Sequence, residues 1–358
     1  MPTSRSSAEP ATKTPVLHVH VFRVEEGLGN AVVLEFPDRT CAIVDWGTEK
    51  DGPLKAVFDI ARRGRVRVVA ATHDHADHTL GLVKLFEKLV DAGVKIDHFV
   101  YPTSQLRDRC KLSAARIRAK ELGIPTHAAN VRTNPKMAVE PDYLDWEDNL
   151  WDLKVLAPFD TETSIGEITE FEKDRAAGNA TSLVVLFAFD SRSGAGILGE
   201  GKVLFTGDAT GKVLENAAKV ASQNGLALDN QLMIIPHHGG VSVVPEWLEE
   251  NIHGVAVISA RTNSPHHPQL ATLQKLAIRT CGNQTKKLFC TSYAQVCREH
   301  FKEDVPPNER HLVAEGPCFG HLVIEVPLSG AARLADSSHN GEQRRRFGWC
   351  GNVTSATR

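Results

Sequence analysis

The run Thr72-His73-Asp74-His75-Ala76-Asp77-His78 decides how the rest of the chain is read. It follows an apolar segment at residues 66–71 and precedes an amphipathic stretch at 80–92, so it occupies a strand-to-helix loop. Loops of that kind are where a rigid scaffold presents functional side chains. Three imidazoles and two carboxylates within six residues are costly to place without a use. A solvated polar loop is the alternative, but a buried strand feeding the loop gains nothing from such a composition. Imidazole nitrogens and carboxylate oxygens are ligands for Zn²⁺ and its neighbours. The loop can serve two cations, His73 and His75 one of them, Asp77 and His78 the other.

One loop cannot complete two coordination shells, so remote ligands are expected. Gly207-Asp208 ends an apolar segment at 202–206, and an aspartate at a strand end can bridge two cations through its two oxygens. Pro236-His237-His238-Gly239-Gly240 ends another apolar segment; there one histidine can ligate and the other act as a substrate-facing acid or base. Composition leaves either histidine free to take either part. Ser264-Pro265-His266-His267-Pro268 repeats the arrangement, and a helix-start proline explains part of it, yet His267 is retained as a catalytic candidate.

Around these loops the signals alternate between strand and helix. Residues 16–24, 31–36 and 40–45 read as short strands separated by Gly27-Leu28-Gly29 and Pro37-Asp38, which predicts an antiparallel start. A helix at 54–63, strands at 66–71 and 98–101, and helices at 80–92 and 109–122 continue as βαβ units. A further strand is expected at 150–156, followed by an acidic, irregular stretch at 160–178. The second half repeats the scheme, with strands at 181–189, 202–206, 232–236 and 255–259 and helices at 214–223, from 245, and at 269–279. Two such halves predict an α/β (α+β) fold in which two mixed sheets pack face to face with helices outside.

With 358 residues, 42% of them apolar, the chain can bury a large core, and its apolar runs stop far short of the roughly 20 residues of a membrane helix. The expected organisation is a disordered N-terminus at 1–15, one hydrolase domain at 16–328 and a disordered tail at 329–358. No secretory pattern is present at the N-terminus, so a cytoplasmic location with reduced thiols is expected for the seven cysteines. Cys281, Cys290, Cys297 and Cys318, with His300, His311 and His321, lack C-x₂-C spacing and read as ordinary thiols rather than a zinc site. The net charge of −3 gives no global attraction to nucleic acid. A local basic segment, Arg107, Arg109, Lys111, Arg116, Arg118 and Lys120, could track phosphates, although Asp108 and Glu121 interleave with it.

Taken in order, HxHxDH, Asp45 at the end of its strand, Thr206-Gly207-Asp208, Pro236-His237-His238-Gly239 and His267-Pro268 resemble the metallo-β-lactamase superfamily. Gly27-Leu28-Gly29-Asn30-Ala31 and Asn179-Ala180-Thr181-Ser182-Leu183-Val184 are similar to motifs of the hydrolase domain of ComEC-type competence proteins. The resemblance implies an αββα sandwich with a dinuclear site at one edge. It makes His73 and His75 ligands of one metal, Asp77 and His78 ligands of the other, Asp208 the bridge and His238 the last histidine. Many relatives place a further histidine between HxHxDH and the bridge. His98 and His127 lie in that interval without a matching context, and Asn179 stands near the expected place. The first metal would then have an oxygen-richer shell, so Zn²⁺ is the favoured ion and Mn²⁺ its rival.

The expected chemistry is hydrolysis by a hydroxide shared between the two cations. Asp77, His237 and His267 are the catalytic candidates, and Asp45, Asp74 and Asn179 hold the ligands from behind. A phosphodiester substrate, including nucleic acid, is favoured on the ComEC resemblance. Lactone or thioester hydrolysis on the same metals and a non-catalytic interaction module are the competing classes; no membrane partner is expected.

Overall fold

The computed structural model describes residues 15–22, 30–62, 64–102, 111–129, 142–145, 151–158, 179, 181–193, 196–240, 245–260, 267–273, 276, 287–291, 321–328 and 330–335. Most of the expected terminal segments, the 160–178 stretch, the glycine turn at 27–29, His266 and part of the helix at 269–279 lie outside these residues, as do Arg107, Arg109, Cys281, Cys297, Cys318, His300 and His311. Within the tail expected to be disordered, Arg333–Leu334 form a short strand paired to the first sheet.

The chain opens with β1 (Val16–Val21), β2 (Ala31–Glu35) and β3 (Cys41–Trp46), paired antiparallel as the turn signals predict. It then runs through α1 (Asp51–Ala61), β4 (Val66–Ala70), the single turn α2 (Ala76–Thr79), α3 (Leu82–Asp91), β5 (Ile96–Pro102), α4 (Lys111–Glu121) and β6 (Thr126–Ala129). β3 to β6 are parallel neighbours, joined through helices. β3 and β4 are buried along their whole length, as central strands covered on both faces must be, which is why their sequences read as continuous apolar runs. α3 buries Leu82, Leu85, Phe86 and Leu89 at helical spacing against the outer face of this sheet.

The second sheet contains β7 (Asp142–Asp145), β8 (Trp151–Ala157), β9 (Val184–Ser193) and β10 (Gly196–Phe205), all antiparallel, followed by parallel β11 (Leu232–Ile234), β12 (Val255–Ile258) and β13 (Lys287–Cys290). α5 (Gly211–Gln223) and α6 (Pro245–Asn251) lie on its outer side, sharing a cluster with Leu204, Met233 and Ala256. β14 (Leu322–Pro327) and β15 (Arg333–Leu334) then return to the first sheet. The strand orders are β15-β14-β1-β2-β3-β4-β5-β6 and β13-β12-β11-β10-β9-β8-β7. Between the sheets lies a core that includes Val19, Val44, Val68, Phe187, Phe205, Val257 and Ile324. Each such fully buried side chain stabilises by about 1.5–3 kcal/mol. The layers are therefore helix, sheet, sheet, helix, in agreement with the sequence reading.

The C-terminal ends of β3, β4, β10, β11 and β12 gather at one margin of the sandwich, where open α/β sheets present their loops. Leu183 N–H donates to the Thr72 carbonyl at 2.7 Å and ties the loop after β4 to the start of β9 across the gap between sheets. Asn30 N–H donates to the Asp77 carbonyl at 3.0 Å, and Gly47 N–H to the Asn30 carbonyl at 2.9 Å. A Cβ added at Gly47 would overlap the Asp77 carbonyl, which is backbone and cannot swing away. Gly47→Ala should therefore destabilise the fold by about 1–3 kcal/mol through overpacking. It should also displace Asp77, so urea unfolding and metal analysis should both register the change.

Cys41, at the start of β3, is buried without a disulfide. Burial, reinforced by Glu35 and Asp38, pushes its thiol up to about 12. Native protein should leave Cys41 unlabelled by alkylating reagents at pH 8, as mass mapping can check. The raised value also sets a sign: stability from this group is full below the unfolded thiol's value of about 8.5 and falls above it, by up to about 1.4 kcal/mol per pH unit. Cys41→Ala should flatten that alkaline slope.

Candidate metal centre

His73 follows β4 by a short extended link, and its ring is fully buried. His75 precedes α2, while Asp77 and His78 lie within that turn, so the HxHxDH spacing turns four side chains toward one point. From the second sheet, Asp208 follows β10 after Gly207, whose φ of +51° is a left-handed value that glycine adopts at low cost. The loop after β11 is a single 3₁₀ turn (Pro236–Gly239) in which His237 and His238 both have positive φ, +47° and +51°. Left-handed backbone at two successive histidines is strained and persists only where surrounding contacts over-determine it. The His237 N–H to Gly207 carbonyl bond, 3.0 Å, is one such contact.

Two groups of ligand-type atoms converge here, each with all its atoms within 4.8 Å of one another: Asp77, His78, Asp208 and His238, and His73, His75 and Asp208. Asp208 belongs to both. Its Oδ1 lies 3.1 Å from His78 Nε2 and 3.6 Å from His238 Nε2, while Oδ2 lies 3.5 Å from His73 Nε2. His238 Nε2 is 3.7 Å from Asp77 Oδ2 and 3.3 Å from His78 Nε2. Ligands about 2.0–2.1 Å from a tetrahedral cation stand about 3.3 Å apart, so these separations match the edges of a coordination polyhedron. Among the described residues the buried His73 Nε2 and Asn179 Oδ1 have no hydrogen-bond partner, a costly condition that a cation at His73 would relieve. The mixed nitrogen and oxygen set suits a divalent transition metal.

The electrostatics agree. Burial disfavours charge on Asp208, but His78, His238 and His73 outweigh it and hold the carboxyl well below the usual range. Asp77 is likewise held low, burial being overcome by His238 and His78. His73 is pushed well below the imidazole range, first by burial and then by His78, so it is neutral at pH 7, the form in which an imidazole can ligate. His78 goes the other way: despite burial, Asp208 and Asp45 raise it.

Behind the imidazoles stands a second set of contacts. His78 Nδ1 meets Asp45 Oδ2 at 2.7 Å, and Asp45 also accepts from Thr72 N–H at 2.7 Å and Thr72 Oγ1 at 2.8 Å. Asp45 itself has positive φ, +57°. His238 Nδ1 donates to the Ser259 carbonyl at 3.0 Å. Each contact turns the opposite ring nitrogen, Nε2, toward Asp208. Thr72 and the Ser259 carbonyl were not singled out from sequence; an oxygen at the end of β12 carries no side-chain signal. Asp74 is half-buried and faces no partner among the described residues. Asn179 Nδ2 lies 3.5 Å from His237 Nε2, which is 3.9 Å from Asp208 Oδ2. Burial pushes His237 below the ordinary imidazole range despite Asp208, and its ring is 4.8 Å from that of His267. His73, His78, Asp208 and His238 thus form a buried floor, with His75, Asp77, His237 and His267 partly exposed around it. His98 and His127 lie away from this floor and contact each other. On α4, Arg118 is held by Glu87 and Glu121, both at 2.9 Å, so the basic segment offers less free charge than its sequence suggests. No helix among the described residues is long and apolar enough to cross a membrane.

A double sheet with a histidine and aspartate cluster at the strand ends defines a metal-binding α/β scaffold. The chain belongs to the metallo-beta-lactamase superfamily, whose family model matches residues 24–220, and this is a superfamily of metal-dependent hydrolases. Among solved structures it is similar to the metallo-beta-lactamase fold protein YhfI from Bacillus subtilis, at 11% identity and a TM-score of 0.44, over 78% of this chain and 96% of that one. It is also similar to human tRNase Z, short form, at 13% identity and a TM-score of 0.36, over 76% and 93% of the two chains. A diphosphatase of the PhnP family aligns at 11% identity and a TM-score of 0.38, over 81% and 92%. These likenesses concern the chain path and carry nothing about substrate. No curated protein matches the chain.

Proposed function

We propose that this chain is a dinuclear metal-dependent phosphodiesterase. The observation that carries the dinuclear reading is Asp208, whose two oxygens face two different ligand sets. His73, His75 and Asp208 would hold one cation, and Asp77, His78, Asp208 and His238 the other. When bound, a cation pair supplies a water of lowered pKa and an electrophilic anchor for a substrate oxygen. Each set offers two imidazoles, which suit Zn²⁺; the carboxylates of the second set, and Asn179 beside the first, also suit Mn²⁺.

The protein's own groups then divide the work. Asp45 and the Ser259 carbonyl orient His78 and His238 from behind. His237 stands over Asp208 on the accessible side, neutral at pH 7, with Asn179 against its Nε2. It is placed to hold a substrate oxygen or pass a proton to a leaving group, with His267 beside it. Phosphodiester specificity is supported by the ordered ComEC-like motifs at 27–31 and 179–184, not by the partly neutralised α4. The test is hydrolysis of bis(p-nitrophenyl) phosphate, single- and double-stranded DNA, RNA and a lactone panel by Zn²⁺- and Mn²⁺-loaded protein. Turnover of phosphodiesters is expected. Turnover confined to lactones transfers the site to acyl chemistry, and two bound metals with no turnover of either class ends the enzymatic reading.

A further inference from the structure

His98 and His127 lie on neighbouring strands β5 and β6, whose register pairs Val100 with His127. His98 shares its face with Val100, and His127 shares its face with Ala129; both of those residues belong to the core between the sheets. The two imidazoles therefore lie on the inner face of the sheet, where that core runs out toward β6, the edge strand. His98 Nδ1 and His127 Nε2 are 2.9 Å apart, with ring centroids 4.9 Å apart and planes at 67°. Both side chains are half-buried, so they are ordered by packing yet reachable from solvent. By register His98 sits beside Val68, several residues before the metal loop, on the order of 15 Å from His73.

We infer that His98 and His127 form a further metal site, separate from the dinuclear cluster, that takes a borderline divalent cation such as Zn²⁺. Two convergent imidazoles select such ions over Mg²⁺ or Ca²⁺. Their nitrogens need to part by only about 0.4 Å to span the tetrahedral edge of about 3.3 Å. Water supplies the remaining positions. The ligand form is already favoured: burial, and then His127, push His98 below the ordinary imidazole range, with Lys95 and Arg65 acting in the same direction and Asp97 against it. At neutral pH the pair shares a single N–H···N contact, and a cation would engage both lone pairs. Its structural effect is a tie across β5 and β6, where β6 has no second neighbour among the described strands.

Equilibrium dialysis of the full chain against Zn²⁺ tests this. Wild type should bind one equivalent more than His127→Gln or His98→Gln, and Asp208→Ala should keep that equivalent while losing metal from the other cluster. Imidazole nitrogen resonances of His98 and His127 should shift in wild type on adding Zn²⁺, a readout that needs no variant to fold. Zn²⁺ should also raise the melting temperature of wild type more than that of His127→Gln, by a few degrees. Equal stoichiometry in wild type and both glutamine variants, or unmoved resonances, overturns the site without touching the dinuclear reading. Loss of metal by Asp208→Ala is the separate test of that reading.

Discussion

Asp208→Ala should hold at most one metal in this cluster and lose hydrolysis by on the order of 10²-fold or more, the scale of removing one preorganised electrostatic group. The carboxylate is the one group common to both ligand sets, so its removal opens both shells at once. It also strips the buried imidazoles of His73, His78 and His238 of their shared counter-charge. The polypeptide should nevertheless stay folded. Thr206 Oγ1 donates to the Ile234 carbonyl at 2.7 Å, Ala209 N–H to the Thr206 carbonyl at 3.1 Å and His237 N–H to the Gly207 carbonyl at 3.0 Å. None of these involves the Asp208 side chain. Metal analysis beside a far-ultraviolet circular dichroism spectrum checks both halves. Unchanged metal content would end the bridging assignment, and an unfolded spectrum would make the carboxylate structural.

His237→Ala and His238→Ala should part company. His238 is buried with Nδ1 on the Ser259 carbonyl and Nε2 facing Asp77, His78 and Asp208, so its loss should remove a metal. His237 is outside both convergent groups and partly exposed, so its loss should leave metal content intact and lower turnover by roughly 10²–10⁴-fold, the range for a positioned acid or base. The left-handed backbone adds a second readout. His237→Gly should fold at least as stably as wild type, because glycine relieves a conformation that costs about 1–2 kcal/mol for other residues. Activity lost together with stability gained would mark strain retained for function; metal lost with His237 and kept without His238 would reverse the pair.

Much of this cluster was legible because its histidines and aspartates follow apolar strands. A run such as Val66–Ala70 can only be a buried strand, and whatever follows it must emerge at the sheet's edge. The same logic placed Asp208 and the Pro236–Gly239 turn. What the sequence left open was which of two adjacent histidines turns inward, because that depends on φ values at His237 and His238 that no residue type dictates. Thr72 and the Ser259 carbonyl escaped because their contribution is a hydrogen bond set by tertiary contact. Short edge strands were also missed: β6 and β7 have four residues each, too few for a period to show. The histidine pair at 98 and 127 was noticed as two isolated candidates, since only parallel register brings them together.

The first and last long strands of the first sheet are partners: β1 pairs with β14 along its whole length, and His20 meets His321 across 301 residues of chain. A ribosome adding about 5–20 residues per second needs roughly 15–60 s to cover that separation. Throughout that interval the outer edge of β1 offers unpaired N–H and C=O groups to any other nascent chain. A message cut short of Leu322 would leave the edge open permanently while still encoding every residue of the candidate metal cluster. Truncated copies would then be expected to assemble with one another through β1, and the yield of soluble protein would depend on how quickly synthesis reaches the closing strand.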